Sequence, residues 1–524
     1  MISIYMKTFN DLPYDILQLF FDKICFTDQV HFIQFNKFTY LNLKISDFSN
    51  CPDKYCEVLN NDILLQHDKI TKLYAGCKIR KIRLSIGSDG TSISQSKIDQ
   101  DCINKLVHLT EINVDQNPLI YKLDHLKNLK KLSCTNHCQR SGITQDTINN
   151  LTGLTTLIAH NDAIYDVNHM VNLQTLDCGS LTCGIGQSGI NKLVNLRFLN
   201  VNDNYRITNV NHLTNLQKLY CSTVVFGIKQ DGISELRNLI ELNVNNNSHI
   251  TDINHLHKLQ ILYCHYKSGI NSTGLNKLTN LTHLSMRMNN SIDDINSLTS
   301  LTRLDMSSNT TITNINGLVN LRVLVANDTC IEQTGIANLS SLSELHIDGN
   351  TQISNLNHLP LLQKLSARAR RSYTEDTFNR IALCQSGITN LTSLTELSVD
   401  YNSLIDNVNH LQKLQKLSCQ QSSGITNWGI NKLTNLIELN IIGNRYVTQL
   451  NHLQKLQKLS YKLSEIYDDG TPDNCNISLN AYMYNYTINT DYLQCLQSLN
   501  GQPFTNKYIK KKNDMTKLIS MLKI

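Results

Sequence analysis

The chain has 524 residues, more than a single compact core supports, so it divides into domains or extends as a repeat array. Hydrophobic residues make up 41% and charged residues 17%, which excludes an intrinsically disordered chain. Lys and Arg exceed Asp and Glu by 48 to 43, and a net charge of +5 over this length points to no nucleic-acid or other polyanionic partner. The opening residues Met1 to Lys7 lack a basic head followed by a long apolar run, so no secretory signal is expected. No apolar stretch is long enough to span a bilayer, and no membrane partner is expected. The 16 cysteines form no CxxC pair, and in an unsecreted chain they stay reduced.

Residues 1–50 form the first region, a small all-α head. Leu12-Pro13 opens a helix, since proline suits a first helical turn. Ile16, Leu17, Phe20 and Ile24 come next, at spacings that give one apolar face. A second helix starts near Asp28, and a third ends in Asn36-Lys37-Phe38. Over residues 9–48 these features resemble an F-box. The resemblance implies docking onto a Skp-type adaptor of a cullin-type ubiquitin ligase, with Leu12, Pro13, Ile16 and Leu17 at the adaptor surface. The alternative is a set of helices that only caps the rest of the chain. Residues 51–75, with Cys56, Val58, Leu59, Ile63 and Leu64, are expected to form a connecting helix. Ile79, Ile82 and Leu84 then look like an irregular first strand.

From 76 to 470 the chain repeats itself. The stretch beginning at Leu236, with Leu239, Leu242, Val244 and Asn247, has the frame LxxLxxLxLxxN. Its leading residue recurs at Leu106, Leu126, Leu151, Met170, Leu193, Leu213, Leu236, Leu256, Leu278, Leu298, Leu318, Leu339, Leu359, Leu391, Leu411, Leu433 and Leu453. Most spacings fall within the range of leucine-rich repeats, which this array resembles. The expected fold is an α/β solenoid: a leucine-rich-repeat horseshoe with a parallel concave sheet and short convex helical turns. One copy cannot bury its own leucines, and stacking joins them into one core. The closing Asn, as at Asn117, Asn204, Asn247, Asn289, Asn309, Asn350, Asn402 and Asn444, is expected to bond backbone groups of the neighbouring turn. The IxxIxxL stretch after it, as at Ile250, Ile253 and Leu256, reads as short helical turns, with Asn254, Asn211, Asn409 and Asn451 as their caps.

Copies alternate between this type and a second one that drops the Asn and continues into a glycine turn. Cys134, Cys178, Cys221, Cys264 and Cys419 fill the last leucine slot of the second type and are expected in the core. The pairs Glu111 and Lys131, Glu344 and Lys364, Glu396 and Lys416, and Glu438 and Lys458 take one outward slot of adjacent strands, about 4.8 Å apart. They either hold the sheet in register or contact a ligand. His125, His169, His212, His255, His358, His410 and His452 each precede a leading residue. Neighbours lie too far apart to share a zinc, so they read as convex-surface residues.

The step from Leu359 to Leu391 is longer than every other. The extra residues include Arg368, Arg370, Arg371 and Tyr373, residue types favoured at binding hot spots. They form either a solvated loop or a substrate contact. Residues 471–524 are expected to be a C-terminal cap, ending in an amphipathic helix over 510–524. No P-loop, HExxH or GxSxG pattern occurs, so neither an enzyme nor a bound cofactor is expected.

The pairing of an F-box-like head with leucine-rich repeats, in an AT-rich composition, is similar to the F-box repeat proteins of giant amoebal viruses. That resemblance implies a substrate receptor of a cullin-type ligase, acting in the host cytoplasm or nucleus. It implies an adaptor and an unknown protein substrate as partners. The alternative is an interaction scaffold whose head only caps the solenoid.

Overall fold

The structure, a computed structural model, describes residues 47–48, 72–74, 78–83, 89–94, 98–136, 141–224, 226–369, 383–461, 498–499 and 502–503. Its contacts group into two compact units, Met1–Leu262 and Tyr263–Ile524. The helices expected in the head, and the tail helix over 510–524, lie outside the described residues.

In the first unit the strands Lys72–Tyr74, Glu111–Asn113, Lys131–Ser133, Thr156–Ile158, Thr175–Asp177, Phe198–Asn200, Lys218–Tyr220 and Glu241–Asn243 pair in that order, all parallel. Their central residues face one another in a buried column running from Leu73 and Ile112 to Leu219 and Leu242. In the second unit the column runs from Leu284 through Leu304, Leu324, Leu345, Leu365, Leu397, Leu417 and Leu439 to Leu459 and Leu499. The long step after Leu359 leaves this ladder intact, for Leu365 and Leu397 remain in register. All seventeen leading residues are at most 5% exposed. Each buried Leu contributes about 1.5–3 kcal/mol, against about 1–2 kcal/mol per residue of backbone ordering.

The start of the array differs from expectation. Lys72–Tyr74 is a strand and not the end of a connecting helix, because Leu73 fits the leucine column and Lys72 reaches Glu111 at 3.3 Å. Asp47–Phe48 adds a parallel rung beside it. The irregular first strand expected near Ile79 and Ile82 is one arm of an antiparallel hairpin, Lys78–Arg83 with Asp89–Ser94, outside the ladder. At the other end, Ser498–Leu499 extends the sheet and turns back on Gln502–Pro503.

The Asn ladder is present and one member longer than the frame indicates. Asn247 is fully buried; its Nδ2 donates to the Cys221 and Ile228 carbonyls at 3.1 and 3.0 Å, and its Oδ1 accepts from His249 N at 3.0 Å. Asn204, Asn289, Asn402 and Asn444 repeat this geometry. Asn161 does so too, one residue early in its copy. The alternation slips once: Asn289 and Asn309 close successive copies, and the next carries Thr329, whose Oγ1 donates to Ala326 O at 2.9 Å.

The return side is built differently from the IxxIxxL expectation. Ile250, Ile253 and Leu256 are buried, but their backbone is a chain of turns without helix. The helical turns stand in the other copies: Gln145–Ile148, Gln187–Ile190, Gln230–Ile233, Ser272–Leu275, Thr334–Ile336, Gln385–Ile388 and Asn427–Ile430. Side chains from neighbouring copies supply the bonds that the non-helical stretches lack. Gln145 accepts from Tyr165 N and Asp166 N and donates to Asp166 O at 2.7 Å. Gln187, Gln230, Gln333 and Gln385 do the same in their copies.

The histidine row reaches backward. In all seven, Nε2 lies 2.8–3.1 Å from the carbonyl of an Ile in the preceding helical turn. These side chains therefore satisfy carbonyls left over at the end of each turn; they are half-buried connectors between copies. In several copies the Asn two residues before the leading position reaches forward. Asn211 binds Asp231 O and Glu235 N, and Asn409 binds Trp428 O and Lys432 N, all within 3.0 Å. They fasten the next helical turn instead of capping their own.

Candidate binding surface

The outward slots of the strands form rows along the sheet face. The four expected Glu and Lys pairs are direct register partners. Three form ion pairs: Lys131 with Glu111 at 3.8 Å, Lys416 with Glu396 at 3.5 Å and Lys458 with Glu438 at 2.9 Å. Glu344 instead meets His346 at 3.0 Å, and Lys364 turns to Glu396 at 3.7 Å. These groups are one-third to one-half exposed, so each pair contributes only about 0.2–1 kcal/mol.

The charged row is interrupted within the first unit. Phe198 takes the slot, and its ring meets the Tyr220 ring edge-on with centroids 5.2 Å apart. Tyr220 donates its hydroxyl to Glu241, which also takes Lys218 at 2.7 Å. Burial pushes the Glu241 carboxyl up, but the bonds from Lys218 and Tyr220 outweigh it and hold the group ionised. The result is an edge-on aromatic pair beside a buried carboxylate, a combination suited to an apolar anchor with a polar rim.

A second row binds copies together at the strand ends. Asp348 accepts from Ser366 Oγ at 2.6 Å and Arg368 N at 2.8 Å. Asp115 and Asp400 hold Ser133 with Thr135 N, and Ser418 with Gln420 N, in the same manner. Arg368 is thereby placed: its Nε and Nη2 lie 2.9 and 2.8 Å from Asp348 Oδ2, so it is a clamp at the sheet edge. Arg370, Arg371 and Tyr373 lie outside the described residues, as do Leu12, Pro13, Ile16 and Leu17.

The five expected core cysteines are at most 2% exposed. Burial pushes the Cys221 and Cys264 thiols up to about 12, and Cys134 and Cys419 also rise. They are apolar filling rather than nucleophiles. Hydrophobic spacing conceals the Asp clamps and the Phe198–Tyr220 contact. Their only sequence signal is a break in the Glu and Lys alternation.

No family model matches the chain, and no curated protein matches it. Solved structures do. An internalin (InlF) from Listeria monocytogenes is 22% identical over 52% of this chain and 89% of that one, with a TM-score of 0.39. TLR13 in complex with ssRNA13 is 18% identical over 75% of this chain and 64% of that one, with a TM-score of 0.49. A leucine-rich-repeat protein of Leptospira interrogans is 20% identical over 69% of this chain and 86% of that one, with a TM-score of 0.42. These are likenesses of fold; the columns of leucine in register, closed by buried asparagines, make the described part of this chain a leucine-rich-repeat solenoid.

Proposed function

We propose that the chain is a non-catalytic protein-binding module, and that residues 9–48 couple its target to a Skp-type adaptor of a cullin-type ubiquitin ligase. The binding role is carried by the Phe198–Tyr220 pair, an aromatic anchor set where the ionic row of the sheet face lapses. The coupling role is supported by the F-box-like pattern at Leu12, Pro13, Ile16 and Leu17. This reading implies action inside a host cell.

Co-expression with a Skp-type adaptor tests the coupling. The intact chain is expected to co-purify with it, and the double variant Leu12→Ala, Pro13→Ala is expected not to. No association of the intact chain would end the ligase reading. For the target contact, replacing Arg370, Arg371 and Tyr373 together is cleaner than including Arg368, which also holds Asp348. Undiminished target binding by that triple variant would remove the inserted segment from the interface.

A second reading is favoured by one observation. Asp47–Phe48, at the end of the F-box-like stretch, pairs in parallel with Lys72–Tyr74. Those two residues extend the ladder, as the end of a cap would. If the head is only a cap, Leu12→Ala with Pro13→Ala lowers the stability of the array and changes no adaptor binding.

A further inference from the structure

At the edge where the chain enters the strands, an Asn two after the leading position clasps the preceding copy in three successive copies. Asn195 donates to Val171 O at 2.8 Å, Asn215 to Val194 O at 3.0 Å and Asn238 to Thr214 O at 2.9 Å. The two copies before these lack the bond. Gly153 has no side chain to offer, and the Asn172 carboxamide has no partner among the described residues. A recess of about 420 Å³ opens there. Lys130, Asn172, Gln174, Arg197 and Gln217 line it around Gly153, and no carboxylate takes part.

The charges in this recess are unlike those of the sheet face. Lys131 and Lys218 are neutralised by Glu111 and Glu241. Lys130 reaches only the Gly153 carbonyl, at 3.3 Å, and Arg197 has no anionic partner among the described residues. Gln174 and Gln217 also have no side-chain hydrogen-bond partner among the described residues. Two exposed cations with no carboxylate beside them make the recess positive and receptive to an anion, and carboxamides that both donate and accept match hydroxyl groups. The near absence of apolar lining excludes a lipid or an apolar peptide anchor. The volume lies within the usual range of small-ligand sites, roughly 300–1,000 Å³.

We infer that this recess binds a phosphorylated monosaccharide, its phosphate facing Lys130 and Arg197 and its hydroxyls facing Asn172, Gln174 and Gln217. Gly153 is the residue that makes room. A Cβ placed there meets Leu129 O at 3.6 Å and Lys130 Nζ at 3.7 Å, which is ordinary contact. Gly153→Asn is therefore sterically allowed and places a side chain in the recess.

Calorimetric titration of the full chain tests the site, with glucose 6-phosphate, glucose and inorganic phosphate as probes. Glucose 6-phosphate is expected to saturate with Kd of about 1 mM and to weaken as salt rises. Glucose and phosphate alone should each bind at least about tenfold more weakly, the equivalent of about 1.4 kcal/mol. Gly153→Asn should lose binding with an unchanged melting temperature, and Arg197→Gln should weaken it about tenfold. The inference fails if no probe saturates, or if either half-ligand binds as well as the whole. It fails equally if Gly153→Asn binds undiminished, or if a single-stranded oligonucleotide displaces the sugar phosphate at lower concentration.

Discussion

Replacing Asn247 by Ala tests the physical basis of the stacking. The side chain is fully buried and makes three bonds, to Cys221 O, Ile228 O and His249 N, all at 3.0–3.1 Å. Truncation leaves two carbonyls and one amide without that partner in a dry interior. Each such bond is worth about 0.5–1.5 kcal/mol net, and each stranded group costs about 1–3 kcal/mol. Allowing for partial relaxation, the expected loss is about 3–5 kcal/mol, a large share of the ~5–15 kcal/mol typical of a folded domain. Asn238→Ala is the control, since that exposed carboxamide only donates to Thr214 O and accepts from Lys258 Nζ at the surface; it should cost about 1 kcal/mol or less. Asn247→Asp keeps the shape but sets a buried carboxylate oxygen against the Cys221 and Ile228 carbonyls, so its loss at neutral pH should exceed that of Ala. Urea unfolding followed by circular dichroism reads all three. A loss for Asn247→Ala no greater than that for Asn238→Ala would refute the reasoning.

Glycine at the helical turns is expected to be irreplaceable where the preceding copy presses on it. A Cβ at Gly429 would lie 2.0 Å from Asp406 O, so Gly429→Ala should lower the melting temperature sharply, whereas Gly153→Ala should leave it unchanged. His160 and Asp177 pair at 2.7 Å. The bond from Asp177 raises the His160 pKa, burial opposes it and the Asp177 charge adds to the rise. The folded state then holds the proton more tightly than the unfolded chain. This contribution is complete below the ordinary histidine value of about 6.5 and disappears as pH rises through the higher folded value. Burial raises Asp177, but His160 and the Gly179 amide outweigh it and leave it lowered, so its share is lost in acid. Melting temperature should fall from pH 6 to 8 in the native chain and less in His160→Gln; parallel slopes would contradict the pair. Iodoacetamide at neutral pH should modify exposed Cys330 in the folded protein, and Cys221, Cys264 and Cys419 only after denaturation. Peptide mass mapping distinguishes them.

Much of the fold was legible because one copy repeats a hydrophobic frame. All seventeen leading residues, the five cysteines and eight closing asparagines are buried as their spacing indicates. Asn161 escaped notice by standing one residue early, and Leu73 because the hairpin of Lys78–Arg83 separates it from the next copy. The glutamine, histidine and asparagine connectors were not legible as such. Each bonds a backbone group some twenty residues away, and such a bond is set by the stacking of copies, which no local period encodes. The same holds for the binding surface. The Glu and Lys rows could be read, whereas Arg368 as a clamp and the recess at Gly153 arise only from neighbouring copies.

These connectors also explain where the array tolerates extra length. Copies closed by Asn advance 19 or 20 residues to the next leading position, and the helical copies advance 21 to 32. In the first kind, the buried carboxamide bonds an amide two residues on and carbonyls of the preceding copy, which fixes the path of the turn. In the second kind, the helical turn is located by Gln, His and Asn acting at or after it, and the segment between strand and turn is held by single backbone bonds such as Gly424 N to Asn402 O, without a buried carboxamide of its own. The 32-residue step from Leu359 to Leu391 belongs to this kind, and Leu365 and Leu397 stay in register across it. Two residues inserted between Gln421 and Ser422 should therefore leave the melting temperature near that of the native chain. The same two residues between Asn444 and Arg445 separate Asn444 Oδ1 from Tyr446 N, bonded at 2.9 Å, and strain the Cys419 and Ile425 contacts. That insertion should cost about 2–4 kcal/mol, as two or three buried bonds are lost. Equal losses at the two points would mean that the turn path is fixed by apolar packing alone.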